Sequence, residues 1–167
     1  LLQLTYLHKL GVSEDEYFEL SYRKTACLFS ACLRLGALLG KKTDAEEMKL
    51  GSYGINLGLA FQLADDMLDF TSSEEVLGKP IGSDLREGKV TLPLIHVLRA
   101  CRPEEAHKVS RVLEEGGFHS VQFGEILELI ERYGGLRASS EKARQLARQA
   151  KSCLDGLPES PYKEALH

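Results

Sequence analysis

The sequence predicts an all-α fold, a bundle of helices. Three observations carry this. Apolar residues recur at helical spacing with no strand-like alternation, capping signals open the two longest periodic runs, and glycine or proline punctuates the chain where periodic runs stop. Ser13-Glu14-Asp15-Glu16 is a capping box, in which the serine and the glutamate three residues later satisfy each other's orphan amides, and it opens a helix running toward Gly40. Thr43-Asp44-Ala45-Glu46 repeats the signal and opens a second long helix ending near Phe70. Their short connection predicts an antiparallel pair.

The second helix carries Gly51, Gly54 and Gly58 and is apolar on nearly every face from Ile55 to Leu68, the pattern of an innermost helix. Its glycines lower helix propensity but let a neighbouring helix approach closely. From Thr71 to Lys89 the chain turns polar and glycine-rich, with Pro80 among the glycines, and irregular chain of that length inside a bundle usually has a function. Thr71 is expected to start a short helix with Glu74 and Glu75 in its first turn. Pro93 and Pro103 suit first-turn positions of two further helices. Gly116-Gly117 and Gly134-Gly135 mark off helices near 118–133 and 136–155, and Pro158 and Pro161 precede a final segment.

The chain has 167 residues, 43% of them hydrophobic and 28% charged, which suits one globular domain or a large part of one. Its formal net charge of -4, with no basic stripe interleaved with aromatics, argues against nucleic acid as a partner. No run is suited to crossing a bilayer, since the longest apolar stretch, 26–40, is short and interrupted by Arg34. Cys27, Cys32, Cys101 and Cys153 lack paired spacing and read as reduced, mostly buried thiols of a cytoplasmic protein. The Leu/Ala/Cys stripe from Ala26 to Leu39 reads as core, with one face free to line a cavity. His8, His96, His107, His119 and His167 show no mutual spacing that points to catalysis. The apolar LLQL opening, without an initiating Met, is expected to follow an upstream segment of a longer chain.

The stretch FQLADDMLDF, residues 61–70, places Asp65, Asp66 and Asp69 at the end of an apolar helix. On a helix Asp65 and Asp69 stand one turn apart, Asp66 lies about 60° from Asp69, and Gln62 shares the face of Asp65. The competing reading is a solvated helix end, with Asp66 or Asp69 capping the next segment of chain. Stability alone does not favour the placement: carboxylates at the negative pole of a helix are disfavoured by about 0.3–1 kcal/mol each, and an i, i+4 acid pair by about 0.2–0.5 kcal/mol. Hard oxygen ligands with room for water suit Mg²⁺ bridging to substrate phosphates. Zinc is disfavoured, because no His or Cys lies nearby at ligand spacing.

FQLADDMLD followed by GKPIGSDLREGKVTLPL resembles the second aspartate-rich region of the trans-polyprenyl diphosphate synthases, and Tyr22-Arg23-Lys24-Thr25 resembles that family's Lys-Thr motif. The resemblance extends over residues 1–167, as the carboxyl-terminal part of a single all-α domain of the isoprenoid synthase type. It implies Mg²⁺-dependent, head-to-tail condensation of an allylic diphosphate with isopentenyl diphosphate. Carried over residue by residue, it implies that Asp65 ligates the metal and that Asp66 and Asp69 support the metal and its waters. Lys24 and Lys79 would contact the allylic diphosphate, Thr25 and Gln62 would sit near the developing carbocation, and Phe61 would sit on the cavity wall. Asp84 and Lys89 would form a polar pair that closes the site and shares in binding the diphosphate, with Arg86 and Glu87 facing solvent. Taken singly, each lysine reads as an ordinary surface charge; their grouping around the acids gives them weight.

The family pattern has a second aspartate-rich motif on a facing helix, and Asp65-Asp66 is the sole Asp-Asp pair in this sequence. The resemblance therefore implies part of a synthase, inactive alone and homodimeric when complete. Two other readings stand beside it: a non-catalytic subunit supporting a full-length partner, and a terpene-cyclase-like diphosphate lyase, against which the GKPIGSDLREGK loop argues.

Overall fold

The computed structural model describes residues 2–72, 78 and 80–167. Lys79, Glu74 and Glu75 lie outside the described residues, as does the short helix expected after Thr71. Helix dominates, with no strand among the described residues. A 3₁₀ segment, Leu2–Tyr6, precedes α1 (Glu14–Ser21), one π-helical turn (Tyr22–Ala26) and α2 (Cys27–Leu39). Then come α3 (Asp44–Thr71), α4 (Ser83–Arg86), α5 (Leu92–Ala100), α6 (Pro103–Glu115), α7 (Phe123–Arg132), α8 (Gly135–Cys153) and α9 (Pro161–Ala165).

Both capping boxes form as expected. Ser13 N–H donates to Glu16 Oε2 at 2.8 Å while Glu16 N–H donates to Ser13 Oγ at 3.1 Å. The Thr43 and Glu46 pair repeats this at 3.0 and 3.3 Å. Pro93 and Pro103 occupy first-turn positions of α5 and α6, where a missing N–H leaves no intrahelical bond unmade. The helix expected from residue 118 instead begins at Phe123. Glu115 explains the delay, since its carboxylate accepts the backbone N–H of Ser120 at 3.0 Å and its hydroxyl at 2.5 Å, holding the segment off the helical path.

The chain divides into two compact units, Leu1–Leu20 with Leu63–Glu141, and Ser21–Gln62 with Lys142–His167. The first has a core of Leu63, Leu85, Leu92, Ile95, Ile126 and Ile130, all essentially inaccessible. Within it, buried Glu105 ties α6 to α7: its carboxylate accepts from Arg102 at 3.0 Å, Arg132 at 2.8 Å and Tyr133 at 2.6 Å. The hydrogen bonds from the Arg102 side chain, then from the Tyr133 hydroxyl, hold its pKa down to about 2.

In the second unit, Tyr53, Ala150 and Leu154 form the centre of a cluster completed by Leu33, Leu50 and Leu57. Here α2 and the first part of α3 run antiparallel along a seam of small residues. A Cβ at Gly54 would fall 2.7 Å from Ser30 Cα, and one at Gly58 would fall 2.5 Å from Ala26 Cα. The close helix approach expected of these glycines is therefore present, and Gly58 meets α2 where the π turn ends.

Two expectations need correction. The stripe from Ala26 to Leu39 is largely exposed: Ala26, Ser30 and Ala37 are buried, but Leu28, Leu35, Leu38 and Leu39 are exposed. Phe61 and Leu68 of α3 are exposed as well, so α3 is apolar all round yet not covered all round by the described residues. The cysteines are not mostly buried either; Cys32 is exposed and the other three are half-buried, all four as free thiols. For Cys32 the reason is shared with the stripe, because it lies on the same side of α2 as exposed Leu28 and Leu35. No helix among the described residues is long and apolar enough to cross a membrane.

The seam gives a direct test. Gly58→Ala gains about 1 kcal/mol of helix propensity but must push two backbones apart, and we expect a net loss of about 1–3 kcal/mol in urea unfolding. Gly36→Ala in α2, where a Cβ meets nothing within 4 Å, should gain about 0.5–1 kcal/mol. Equal effects at the two positions would contradict the close packing.

Candidate active site

The three aspartates at the end of α3 stand in three different environments. Asp65 is exposed, and among the described residues no hydrogen bond or ion pair holds it. Asp66 is buried, and its Oδ2 accepts the hydroxyl of Tyr17 on α1 at 2.6 Å; Tyr17 is itself buried. Asp69 is wholly inaccessible. Its Oδ1 accepts the backbone N–H of Ser83 at 3.2 Å and the Ser83 hydroxyl at 2.8 Å, and its Oδ2 accepts the backbone N–H of Asp84 at 3.0 Å. Its main-chain carbonyl takes the N–H of Gly82 at 2.9 Å.

This geometry answers the objection that acids are misplaced at a helix carboxyl end. The Asp69 carboxylate lies at the negative pole of α3 but also at the amino end of α4, whose first amides have no intrahelical acceptor. Asp69 therefore caps α4, the alternative that the sequence left open. A buried carboxylate is tolerated only when fully hydrogen-bonded, and Asp69 meets that condition with protein donors.

Beyond α4 the chain turns back through Glu87–Lys89. Buried Asp84 accepts from the Lys89 ammonium at 3.0 Å, and Glu87 Oε2 lies 2.6 Å from the same nitrogen. The polar pair expected of Asp84 and Lys89 is present, with Arg86 and Glu87 facing solvent. Burial works against the ammonium, but the hydrogen bonds it donates to Glu87 and Asp84 outweigh this and raise the Lys89 pKa.

In the second unit, Lys24 and Thr25 sit inside the π-helical turn. Such a turn adds one residue to the helical path, and it re-aims the side chains it carries; π turns are frequent at functional sites. Lys24 is exposed, with no partner among the described residues. Thr25 donates its hydroxyl to Gln62 Oε1 at 2.7 Å, which links the turn to α3 and fixes the orientation of the buried Gln62 amide. Phe61 is 58% exposed and lies against Phe29, ring centroids 5.8 Å apart.

The structure brings Thr25 to Gln62 and Asp84 to Lys89, as the sequence pairs them. Two participants escaped sequence reasoning. Tyr17 is 49 residues from Asp66, and no local pattern connects them. Ser83 carried a usable signal, because Gly82-Ser83-Asp84 reads as a helix start.

A hard divalent cation that takes one or two carboxylates and fills its shell with water and phosphate oxygens fits Asp65, whose carboxylate is exposed and held by no described neighbour. A closed protein cage does not fit, since no group of three or more His, Cys, Asp or Glu among the described residues is placed to hold a metal ion.

Sequence comparison places the chain in a known family. The polyprenyl synthetase family profile matches residues 1–130, and the chain belongs to that family. It is 39% identical over 167 residues to octaprenyl diphosphate synthase of Escherichia coli K12, covering 99% of this chain and 51% of that protein. It is 39% identical over 165 residues to a short chain isoprenyl diphosphate synthase of Methanothermobacter thermautotrophicus, covering 99% and 50%. Among solved structures, a polyprenyl synthase of Caulobacter crescentus complexed with calcium and isoprenyl diphosphate matches with a TM-score of 0.90 at 41% identity, over 99% of this chain and 50% of that one. The chain thus spans about half the length of the curated relatives it matches, and its fold is that of the isoprenoid synthases.

The three environments predict unequal structural roles. Asp69→Ala leaves three buried donors without an acceptor and should lower stability by about 3 kcal/mol or more, while Asp65→Ala should change it by less than about 0.5 kcal/mol. Urea unfolding of the two variants checks this. Similar losses would mean that Asp69 is not the anchor of α4.

Proposed function

We propose that this chain forms part of the active site of a trans-prenyl diphosphate synthase, condensing an allylic diphosphate with isopentenyl diphosphate in a Mg²⁺-dependent reaction. The observation that carries the reading is the contrast among the acids: Asp66 and Asp69 spend oxygens on protein donors, and Asp65 is left exposed. The family relationship and the complex of the Caulobacter crescentus relative with calcium and isoprenyl diphosphate support it.

Asp65 holds the cation, and Asp66, oriented by Tyr17, supports it and its waters. Asp69 acts a step further out, through the turn it anchors. When bound, Mg²⁺ neutralises charge that accumulates on the departing diphosphate. Lys24 and Lys89 are each assigned to diphosphate binding through charge-assisted hydrogen bonds; Lys79 is assigned this role on its sequence context alone. As the allylic C–O bond breaks, the electron pair leaves with the diphosphate, the alkene of isopentenyl diphosphate attacks the cation, and a proton is lost. Thr25 and Gln62 present oxygens toward the developing positive charge, and their mutual hydrogen bond keeps those dipoles from reorienting during the reaction. Phe61 lines the wall of the cavity for the growing chain.

The complete protein is proposed to be longer than this chain, homodimeric and cytoplasmic, and the 167 residues alone are proposed to have negligible turnover. In the complete protein Asp65→Ala should lower kcat by about 10²-fold or more with the fold retained. Lys24→Ala should raise the KM for the allylic diphosphate by about ten- to a hundredfold. Steady-state kinetics with the allylic substrate varied decide both. Turnover unchanged by Asp65→Ala would remove the metal assignment and favour a supporting subunit.

A further inference from the structure

His8 takes no part in the proposed catalysis, yet it joins three segments of its unit. Its backbone is left-handed, with φ 59°, a conformation that few non-glycine residues adopt and in which His is enriched. Its N–H donates to the carbonyl of Gly88 at 2.7 Å, and its Nδ1 lies 3.0 Å from the carbonyl of Leu113, in the last turn of α6. A carbonyl oxygen only accepts, so Nδ1 carries the proton and donates. The imidazole also covers Gly88: a Cβ there would lie 2.7 Å from His8 Nε2, and Gly88 is itself left-handed at φ 84°. Neither residue can be replaced by an ordinary side chain without opening this contact.

The segment so gripped is the one that carries Lys89. Gly88 N–H donates to Leu85 at 3.0 Å and Lys89 N–H to the Asp84 carbonyl at 2.8 Å. Asp69 anchors the start of this stretch through Ser83 and Asp84, and His8 grips its end. An ammonium on a four-carbon stem is mobile; fixing the backbone beneath it and pairing it with Asp84 and Glu87 leaves it few positions.

We infer that His8 is a positioning residue that clamps the Glu87–Lys89 turn against the end of α6 and so sets where Lys89 meets a diphosphate. This rests on the diphosphate role proposed for Lys89 and adds to it the residue that holds the lysine in place.

The test uses the full-length enzyme and separates backbone from ring. His8→Gly keeps the left-handed backbone and its N–H and removes the imidazole. His8→Asn keeps a residue tolerant of that backbone together with a side-chain N–H donor. We expect His8→Gly to speed amide hydrogen exchange at Gly88 and Lys89, and to raise the KM for the allylic diphosphate about three- to tenfold with kcat within about twofold. His8→Asn should recover most of the loss, and His8→Gly should add nothing to Lys89→Ala. Unchanged exchange in His8→Gly overturns the clamp. Faster exchange with an unmoved KM, where Lys89→Ala does move it, overturns positioning. If Lys89→Ala itself leaves KM unmoved, the diphosphate role of Lys89 is what fails, and the claim that His8 serves substrate binding falls with it.

Discussion

A carboxylate with no access to solvent must find its hydrogen bonds within the protein, and Asp69 finds them at the start of another helix. Its two oxygens hold Ser83 and Asp84 and its carbonyl holds Gly82, which pins the chain that leaves α3 at Thr71 back onto the turn it came from. The position of α4 depends on this, then that of Asp84, then that of the Lys89 ammonium. Because the cost of leaving such a carboxylate unpaired is large, the arrangement is closer to all-or-none than graded.

Within the other unit a different constraint does similar work. Glycines 54 and 58 let α3 touch the backbone of α2, and the π turn that carries Lys24 and Thr25 closes at Ala26, the residue Gly58 meets. A helix that accommodates an extra residue needs a neighbour that holds it there. The seam and the Thr25–Gln62 hydrogen bond supply two such restraints, one steric and one polar.

Much of this was legible in the sequence where the physics is local. The capping boxes at Ser13 and Thr43, the prolines opening α5 and α6, and the glycine seam each depend on residues within a few positions, or on one helix face. What was not legible depends on pairings across tens of residues. Tyr17 and Asp66 are joined by a bond that no periodicity encodes, and His8 looked inert because its partners are the main-chain carbonyls of Gly88 and Leu113, which have no sequence signature. The exposed face of α2 misled for the opposite reason: the stripe has core composition, but among the described residues none covers Leu28, Leu35 or Leu39. Asp69 lies between these cases. The sequence offered both a capping role and a metal-supporting one, and the burial of its carboxylate favours the first without help from the local pattern.

In the proposed function the two acids divide the labour, Asp65 facing the cation and Asp69 holding the turn. The measurement that tests it most directly is a crystal structure of the full-length protein with Mg²⁺ and an unreactive allylic diphosphate analogue. That division predicts an Asp65 oxygen at about 2.0–2.1 Å from the ion, with the Asp69 carboxylate still accepting from Ser83 and Asp84. An Asp69 carboxylate swung onto the metal, with those amides released, would contradict it.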